Sequence, residues 1–275
     1  MTIQTALLQG NKLLEEAGIA VPRLTAEVLL AHALGCERPY LYAHPEEELA
    51  HNPWLHYGRY LHERLEGKPT QYVIGRQEFY GREFRVTPAV LIPRPETEHV
   101  VEEALRVGAG ARRVLDIGTG SGALAVTLAL ETGAEAWATD ISSAAAAVAA
   151  QNASRLGARV GIVVCDVTDA IAADSMDLIV ANPPYVPEPQ REGLQREVRD
   201  WEPPVALFAG ETGLDIYARI VADAPRVLKP GGWLVMELGF GTLDAVTWLL
   251  SGWADVQAEP DLAGIPRVIA ARRSG

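Results

Sequence analysis

The residues best suited to chemistry are Asn182-Pro183-Pro184-Tyr185, which follow the apolar run Leu178-Ile179-Val180-Ala181. Such a run reads as a buried strand. Its abrupt end in a polar amide and two prolines brings the Asn182 side chain to the carboxyl edge of a sheet, where open α/β sheets bind ligands. Proline fixes φ and has no N–H, so the carbonyls of Asn182 and Pro183 can face a substrate instead of a ladder partner. With the Asn182 side-chain oxygen they form a niche of acceptors only. It suits a planar NH2 group whose two hydrogens must be held while its nitrogen reacts. A proline-rich turn closing a core strand has the same composition, and these four residues alone leave both readings open.

A second segment begins with Val114-Leu115-Asp116-Ile117, turns through Gly118-Thr119-Gly120-Ser121-Gly122, and enters a helix-like run at 123–130. Strand, glycine turn and helix form the opening unit of a nucleotide-binding sheet. The glycines allow a tight turn and would let backbone N–H groups approach a ligand that a Cβ would exclude. Gly118-x-Gly120-x-x-Ala123 also meets the loose dinucleotide fingerprint. Asp140 ends the next strand-like run, about 20 residues past the glycines, where a carboxylate can accept both ribose hydroxyls. NAD and S-adenosylmethionine share a ribose, so this acid does not choose between them. The glycine spacing, preceded by Asp116 and followed on the fourth strand by the Asn-Pro-Pro-Tyr element, does choose. Here the chain resembles the S-adenosylmethionine-dependent methyltransferases of the Rossmann-like class, and within it those that methylate a planar NH2 nitrogen.

The elements that must position these residues follow from changes of hydrophobic period. Residues 1–70 read as a small helical domain: Ala26, Leu29, Leu30 and Ala33 recur on one face, and Gly18 and Gly35 follow helix ends. Residues 71–94 shorten toward period two, with Phe79 to Val86 reading as strand, turn and strand, a β-hairpin connector. Pro95 then opens a helix whose first turn carries Glu96 and Glu98, favoured at the positive dipole end. In 95–275, strands at 114–117, 134–139, 160–164, 178–181 and 233–238 alternate with helical stretches such as 142–156 and 214–228. The alternation predicts an α/β fold: a mostly parallel Rossmann-like sheet covered on both faces, closed by an antiparallel pair at 254–258 and 267–271.

Composition narrows the partners. No apolar run nears the roughly 20 residues needed to span a bilayer, and the N-terminus lacks a basic region followed by an apolar one, which predicts a cytoplasmic protein and no membrane partner. Cys36 and Cys165 lie in different expected domains without metal-ligand companions, and read as reduced structural thiols. Five of the six histidines fall between His32 and His62 without metal-site spacing, so no metal is expected. A net charge of −12 disfavours direct nucleic-acid binding, which draws its affinity from Lys and Arg. A protein substrate fits better.

Several further motifs narrow the resemblance: Phe79-Tyr80-Gly81, Phe84-x-Val86, Val90-Leu91-Ile92-Pro93-Arg94-Pro95-Glu96-Thr97-Glu98 and Trp201-Glu202-Pro203-Pro204-x-Ala206-Leu207. With the glycine loop and the Asn-Pro-Pro-Tyr element, they stand in the order found in the peptide chain release factor glutamine N5-methyltransferases, across nearly the whole chain. The resemblance implies methyl transfer from S-adenosylmethionine to the side-chain amide of the glutamine in the Gly-Gly-Gln loop of class-1 release factors, with the N-terminal helical domain helping to hold that substrate. It also implies site roles. Gly118, Gly120 and Gly122, with Thr119 and Ser121 between them, approach the methionine portion of the cofactor. Asp140 takes the ribose, Asp166 with Val167 borders the adenine, and Asn182 borders the cofactor as well. Asn182, Pro183, Pro184 and Tyr185 form the glutamine pocket, with Tyr185 as a wall.

On the residues alone, Asp116 is either a ligand contact or a shaper of the glycine loop, and Asp166 either a ligand contact or a turn carboxylate. Arg94 and Glu202 read as loop organisers. No His or Lys is signalled as a general base, so positioning must carry the chemistry. Three alternatives stay open: a ribosomal-protein glutamine methyltransferase, a DNA or RNA adenine N6-methyltransferase, and a non-catalytic S-adenosylmethionine-binding module.

Overall fold

The computed structural model describes residues 1–274, and the chain divides into two units. The first comprises Met1–Gly75 together with Gln195–Trp201. Its helices are α1 (Ile3–Glu16), α2 (Pro22–Leu34), α3 (Arg38–Ala43), α4 (His51–Leu65) and α5 (Thr70–Ile74), joined by the later segment Arg196–Trp201, α9 in chain order. Tyr57 of α4 is fully buried. A Cβ at Gly10 of α1 would lie 1.9 Å from its hydroxyl, so only glycine lets α1 close on α4. Glu27 is buried on α2, where Arg23 donates to it at 3.0 Å, Arg38 at 2.7 Å, and the Tyr42 hydroxyl donates as well. Burial pushes its carboxyl up, but these three partners outweigh burial and hold it below the ordinary range.

Residues 71–74, read from sequence as the start of the period-two stretch, are instead helical. Pro69 precedes α5 and Gly75, at φ 75°, ends it; five residues are too few to display a helical period. The strands β1 (Arg76–Phe79) and β2 (Arg82–Arg85) form an antiparallel hairpin that groups with the second unit.

The second unit, Arg76–Leu194 and the residues from Glu202 onward, holds α6 (Glu98–Val107), β3 (Arg113–Ile117), α7 (Ala123–Thr132), β4 (Glu135–Asp140), α8 (Ser143–Leu156), β5 (Val160–Val164) and β6 (Met176–Ala181). It continues with α10 (Asp215–Val227), β7 (Leu228–Glu237), α11 (Leu243–Leu249), β8 (Ala254–Pro260) and β9 (Pro266–Arg272). Seven strands make one sheet in the order β5-β4-β3-β6-β7-β9-β8. The first five run parallel, and β9 is antiparallel to both its neighbours.

Period-two alternation sorts the strand residues onto two buried faces. Leu115, Ile117, Ile179 and Met236 pack with Tyr217 and Ile220 of α10, while Val114, Leu178, Val180 and Val235 pack with Val100 of α6 and Leu124 of α7. Burying each such side chain is worth about 1.5–3 kcal/mol. β7 begins five residues before the strand expected at 233–238. Met176 pairs with Leu228 but Leu178 pairs with Trp233, so Lys229-Pro230-Gly231-Gly232 stand against the single residue Asp177, an irregularity in the register. A Pro-Gly-Gly sequence reads as a turn, which hid the strand's start.

Among the described residues no helix is long and apolar enough to cross a membrane. Nor does any group of three or more His, Cys, Asp or Glu side chains there suit a metal ion.

Candidate active site

Strand order reverses at β3, whose chain continues to β4 and β5 on one side while β6 lies on the other. A crevice opens where neighbouring strands diverge in this way. The register pairs Ile117 with Ala181, so the glycine loop and Asn182 leave adjacent strands side by side.

The loop holds its shape through β4. Gly118 N and Thr119 N donate to Thr139 O at 2.9 and 3.0 Å, and Gly120 N donates to Asp140 Oδ2 at 2.9 Å. These amides, expected to face a ligand, are therefore spent internally, and the loop offers room in place of donors. A Cβ on Gly118 or Gly120 would meet nothing within 4 Å. Gly122 serves differently: at φ 84° it starts α7, and a Cβ there would press on Ala149 of α8 at 3.2 Å. Fully buried Asn152 ties this region together by donating to Ser121 O at 2.8 Å and to Arg85 O at 2.9 Å while accepting Arg85 N at 2.8 Å.

Two carboxylates border the loop. Asp140 accepts one backbone N–H on each oxygen, from Gly120 and from Ser142, which leaves acceptor capacity for a diol. Asp116 Oδ2 accepts the Thr119 hydroxyl at 2.6 Å and Ala125 N at 3.2 Å, whereas its buried Oδ1 has no partner. Asp116 thus shapes the loop and also presents an unpaired acceptor in the cavity wall. Asp166 and Val167 line the same cavity. Asp166 pairs with Arg219 of α10 at 2.6 Å, a partner no sequence signal announced.

Asn182 stands opposite. Its Nδ2 donates to Thr97 Oγ1 at 3.0 Å, and the Thr97 hydroxyl donates to Glu237 Oε2 at 2.5 Å. Asn182 and Pro184 line the cavity; Gly122, Pro183 and Tyr185 do not. Pro183 is buried. The Tyr185 ring lies against Gly239, where a Cβ would meet Tyr185 Cδ2 at 2.7 Å, and it packs on the core beneath β7. Arg94 donates to buried Glu202 at 2.5 Å, joining the segments that carry lining residues Pro93, Thr97, Pro203 and Val205.

Burial pushes the Asp116 and Glu237 carboxyls up to about 7; hydrogen bonds, to Asp116 from Thr119 and Ala125 and to Glu237 from Thr97, pull only partly back. A carboxyl with a raised folded-state pKa binds protons on folding. Its contribution is fully present below the unfolded value near 4 and is lost as pH rises to about 7, by about 1.4 kcal/mol per unit of displacement. The ligand-free protein is therefore expected to be less stable at pH 8 than at pH 5.5. Urea midpoints for wild type and Asp116→Asn check this: the variant should show a shallower fall, and identical slopes would count against a displaced Asp116.

A doubly wound sheet with a glycine loop after β3 and an acid ending β4 defines a Rossmann-like methyltransferase domain. Residues 5–75 match the family model described as PrmC N-terminal domain, and residues 98–197 match the Methyltransferase small domain. A release factor glutamine methyltransferase from Koribacter versatilis is 46% identical over 99% of both chains. One from Geobacter sulfurreducens is 43% identical over 98% of this chain and 96% of its own. The solved methyltransferase from Pyrococcus furiosus shares the fold, with a TM-score of 0.55 at 18% identity over 72% of this chain and 91% of that one. The chain belongs to the release factor glutamine methyltransferases. Its cofactor is S-adenosylmethionine, and the open glycine face, the spare acceptors of Asp140 and the orphaned Asp116 Oδ1 fit that molecule's methionine end and ribose.

Proposed function

We propose that this enzyme methylates the side-chain amide nitrogen of the glutamine in the Gly-Gly-Gln loop of class-1 release factors, in the cytoplasm, with the helical unit helping to hold the substrate. The observation that carries this reading is Asn182: its NH2 is engaged by Thr97, so its oxygen is left for a substrate. S-adenosylmethionine, when bound, supplies an electrophilic methyl group on a sulfonium. Gly118, Gly120, Asp116 and Asp140 would hold it, with Asp166 and Val167 at its adenine. Asn182 Oδ1, at the cavity wall, and Pro183 O, next to it in the chain though outside the cavity lining, would accept the two N–H bonds of the substrate amide. Among the described residues, neither the Asn182 oxygen nor the Pro183 carbonyl accepts a hydrogen bond within the chain.

An amide lone pair is delocalised and weakly nucleophilic. Fixing both N–H bonds turns the amide plane so that its face meets the methyl carbon, and such alignment supplies on the order of 7–11 kcal/mol of a barrier. The two acceptors also stabilise positive charge growing on nitrogen. Among the described residues the cavity lining contains no His or Lys. None is needed before bond formation, because the amide keeps both hydrogens until the C–N bond exists and the cationic product sheds one readily.

Labelled S-adenosylmethionine, offered with purified release factors and in parallel with DNA, RNA and ribosomal proteins, tests the assignment. Label is expected on the release factor glutamine alone. Transfer to nucleic acid or to a ribosomal protein, with release factors inert, would overturn it.

A further inference from the structure

We propose that Thr97 and Glu237 are positioning residues that set which way the Asn182 amide faces; this rests on the role given to Asn182 above. The three side chains come from separate parts of the chain. Thr97 lies in the turn before α6, Asn182 follows β6, and Glu237 ends β7. They form one directed relay, with Asn182 Nδ2 donating to Thr97 Oγ1 at 3.0 Å and Thr97 Oγ1 donating to Glu237 Oε2 at 2.5 Å. In its ionised form, which prevails above about pH 7, Glu237 accepts and cannot donate. The single hydroxyl hydrogen of Thr97 is therefore committed to Glu237, and Thr97 meets Asn182 with a lone pair. Only the NH2 edge of the amide satisfies that lone pair. The flipped amide would set oxygen against oxygen in a buried place, leaving acceptors unpaired. Glu237 thus dictates, through Thr97, that the Asn182 oxygen points away from the relay.

The anchor itself is rigid. Glu237 and Thr97 are buried. The Tyr217 hydroxyl donates to the Glu237 carbonyl at 2.7 Å and accepts Gly239 N at 3.1 Å, pinning the end of β7 from α10. A buried carboxylate that served stability alone would be better replaced by an apolar residue, since its burial is costly; its bond to Thr97 gives it a task.

The test compares Thr97→Val, Thr97→Ser, Asn182→Ala and the double variant Thr97→Val/Asn182→Ala, with S-adenosylhomocysteine binding as the check on folding. Thr97→Val should lower kcat roughly 10- to 100-fold, the loss expected for a hydrogen bond to a charged group, with KM and homocysteine-ligand binding little changed. Thr97→Ser, which keeps the hydroxyl, should restore most of it. The loss should vanish in the Asn182→Ala background. If Thr97→Val does not fold, Glu237→Gln takes its place in the same cycle. Unchanged kcat in Thr97→Val, or a loss that persists without Asn182, would overturn the relay. A second readout needs no protein substrate: in the S-adenosylhomocysteine complex, the Asn182 side-chain NH2 signals should be resolved and slow to exchange in wild type and Thr97→Ser but not in Thr97→Val. Identical signals in all three would overturn the relay, whereas a wild-type enzyme inert toward release factors would instead overturn the assigned activity.

Discussion

Asn182→Ala is expected to lower turnover on release factor about 10²–10³-fold, or roughly 2.7–4 kcal/mol, while the protein folds and binds S-adenosylhomocysteine almost normally. The size follows from removing one preorganised polar group that acts on charge developing in the transition state. Folding should tolerate the change because Asn182 is half-buried and lies beyond the last β6 pairing, Ala181 with Met236. Truncation does leave the Thr97 oxygen without its donor, which costs at most about 1–3 kcal/mol of stability. Asn182→Asp keeps two acceptors but cannot donate to Thr97, and it adds a charge beside a cationic cofactor. It is expected to be impaired less than alanine. Steady-state methylation with labelled cofactor, alongside calorimetric titration of the thioether product, separates the two effects. A variant that binds normally and turns over at the wild-type rate would make Asn182 a strand-end turn residue.

Gly120→Val is expected to weaken S-adenosylhomocysteine binding by about 100-fold or more, equivalent to roughly 2.7 kcal/mol. Gly120 has φ 54°, a left-handed conformation that costs a β-branched residue at least the 1–2 kcal/mol typical of L-residues. The larger loss comes from space. A Cβ there would meet no protein atom within 4 Å, so the valine side chain would start into the cavity that Gly120 lines, where a ligand belongs. Gly120→Ala carries the same backbone strain with less bulk and should fall between. Calorimetry reports affinity and thermal unfolding reports strain. Unchanged affinity in the valine variant would remove the loop from the cofactor site.

What could be read in the sequence was what local pattern writes. The runs that became β3 to β6 lie within two residues of where the chain forms them, and they are plainest in the central strands β3 and β6, whose burial on both faces needs nearly continuous apolar residues. Asp116, the glycine loop, Asp140 and Asn182 were legible because each sits at the end of such a run. The partners that fix them were not. Thr97 looked like any first-turn residue and Glu237 like an ordinary residue near the end of a strand, and their bond joins positions 140 residues apart. Asn152 was hidden in an alanine-rich helix, yet it bonds Arg85, 67 residues earlier. Arg219 gave no sign that it would face Asp166. Nothing in 195–201 foretold that these residues pack with the N-terminal helices, because the segment is short, charged and without period.

The relay from residue 97 to residue 237 also governs the order in which the enzyme can come into being. A polypeptide emerging from the ribosome carries Thr97 and the glycine loop before it carries β7, which must be laid beside β6, and β9 must then pair with β7 from beyond. Long-range pairings of this kind close late and slowly. A nascent chain can thus own a recognisable cofactor loop well before it owns an oriented Asn182, so competence for catalysis waits on β7 and β9.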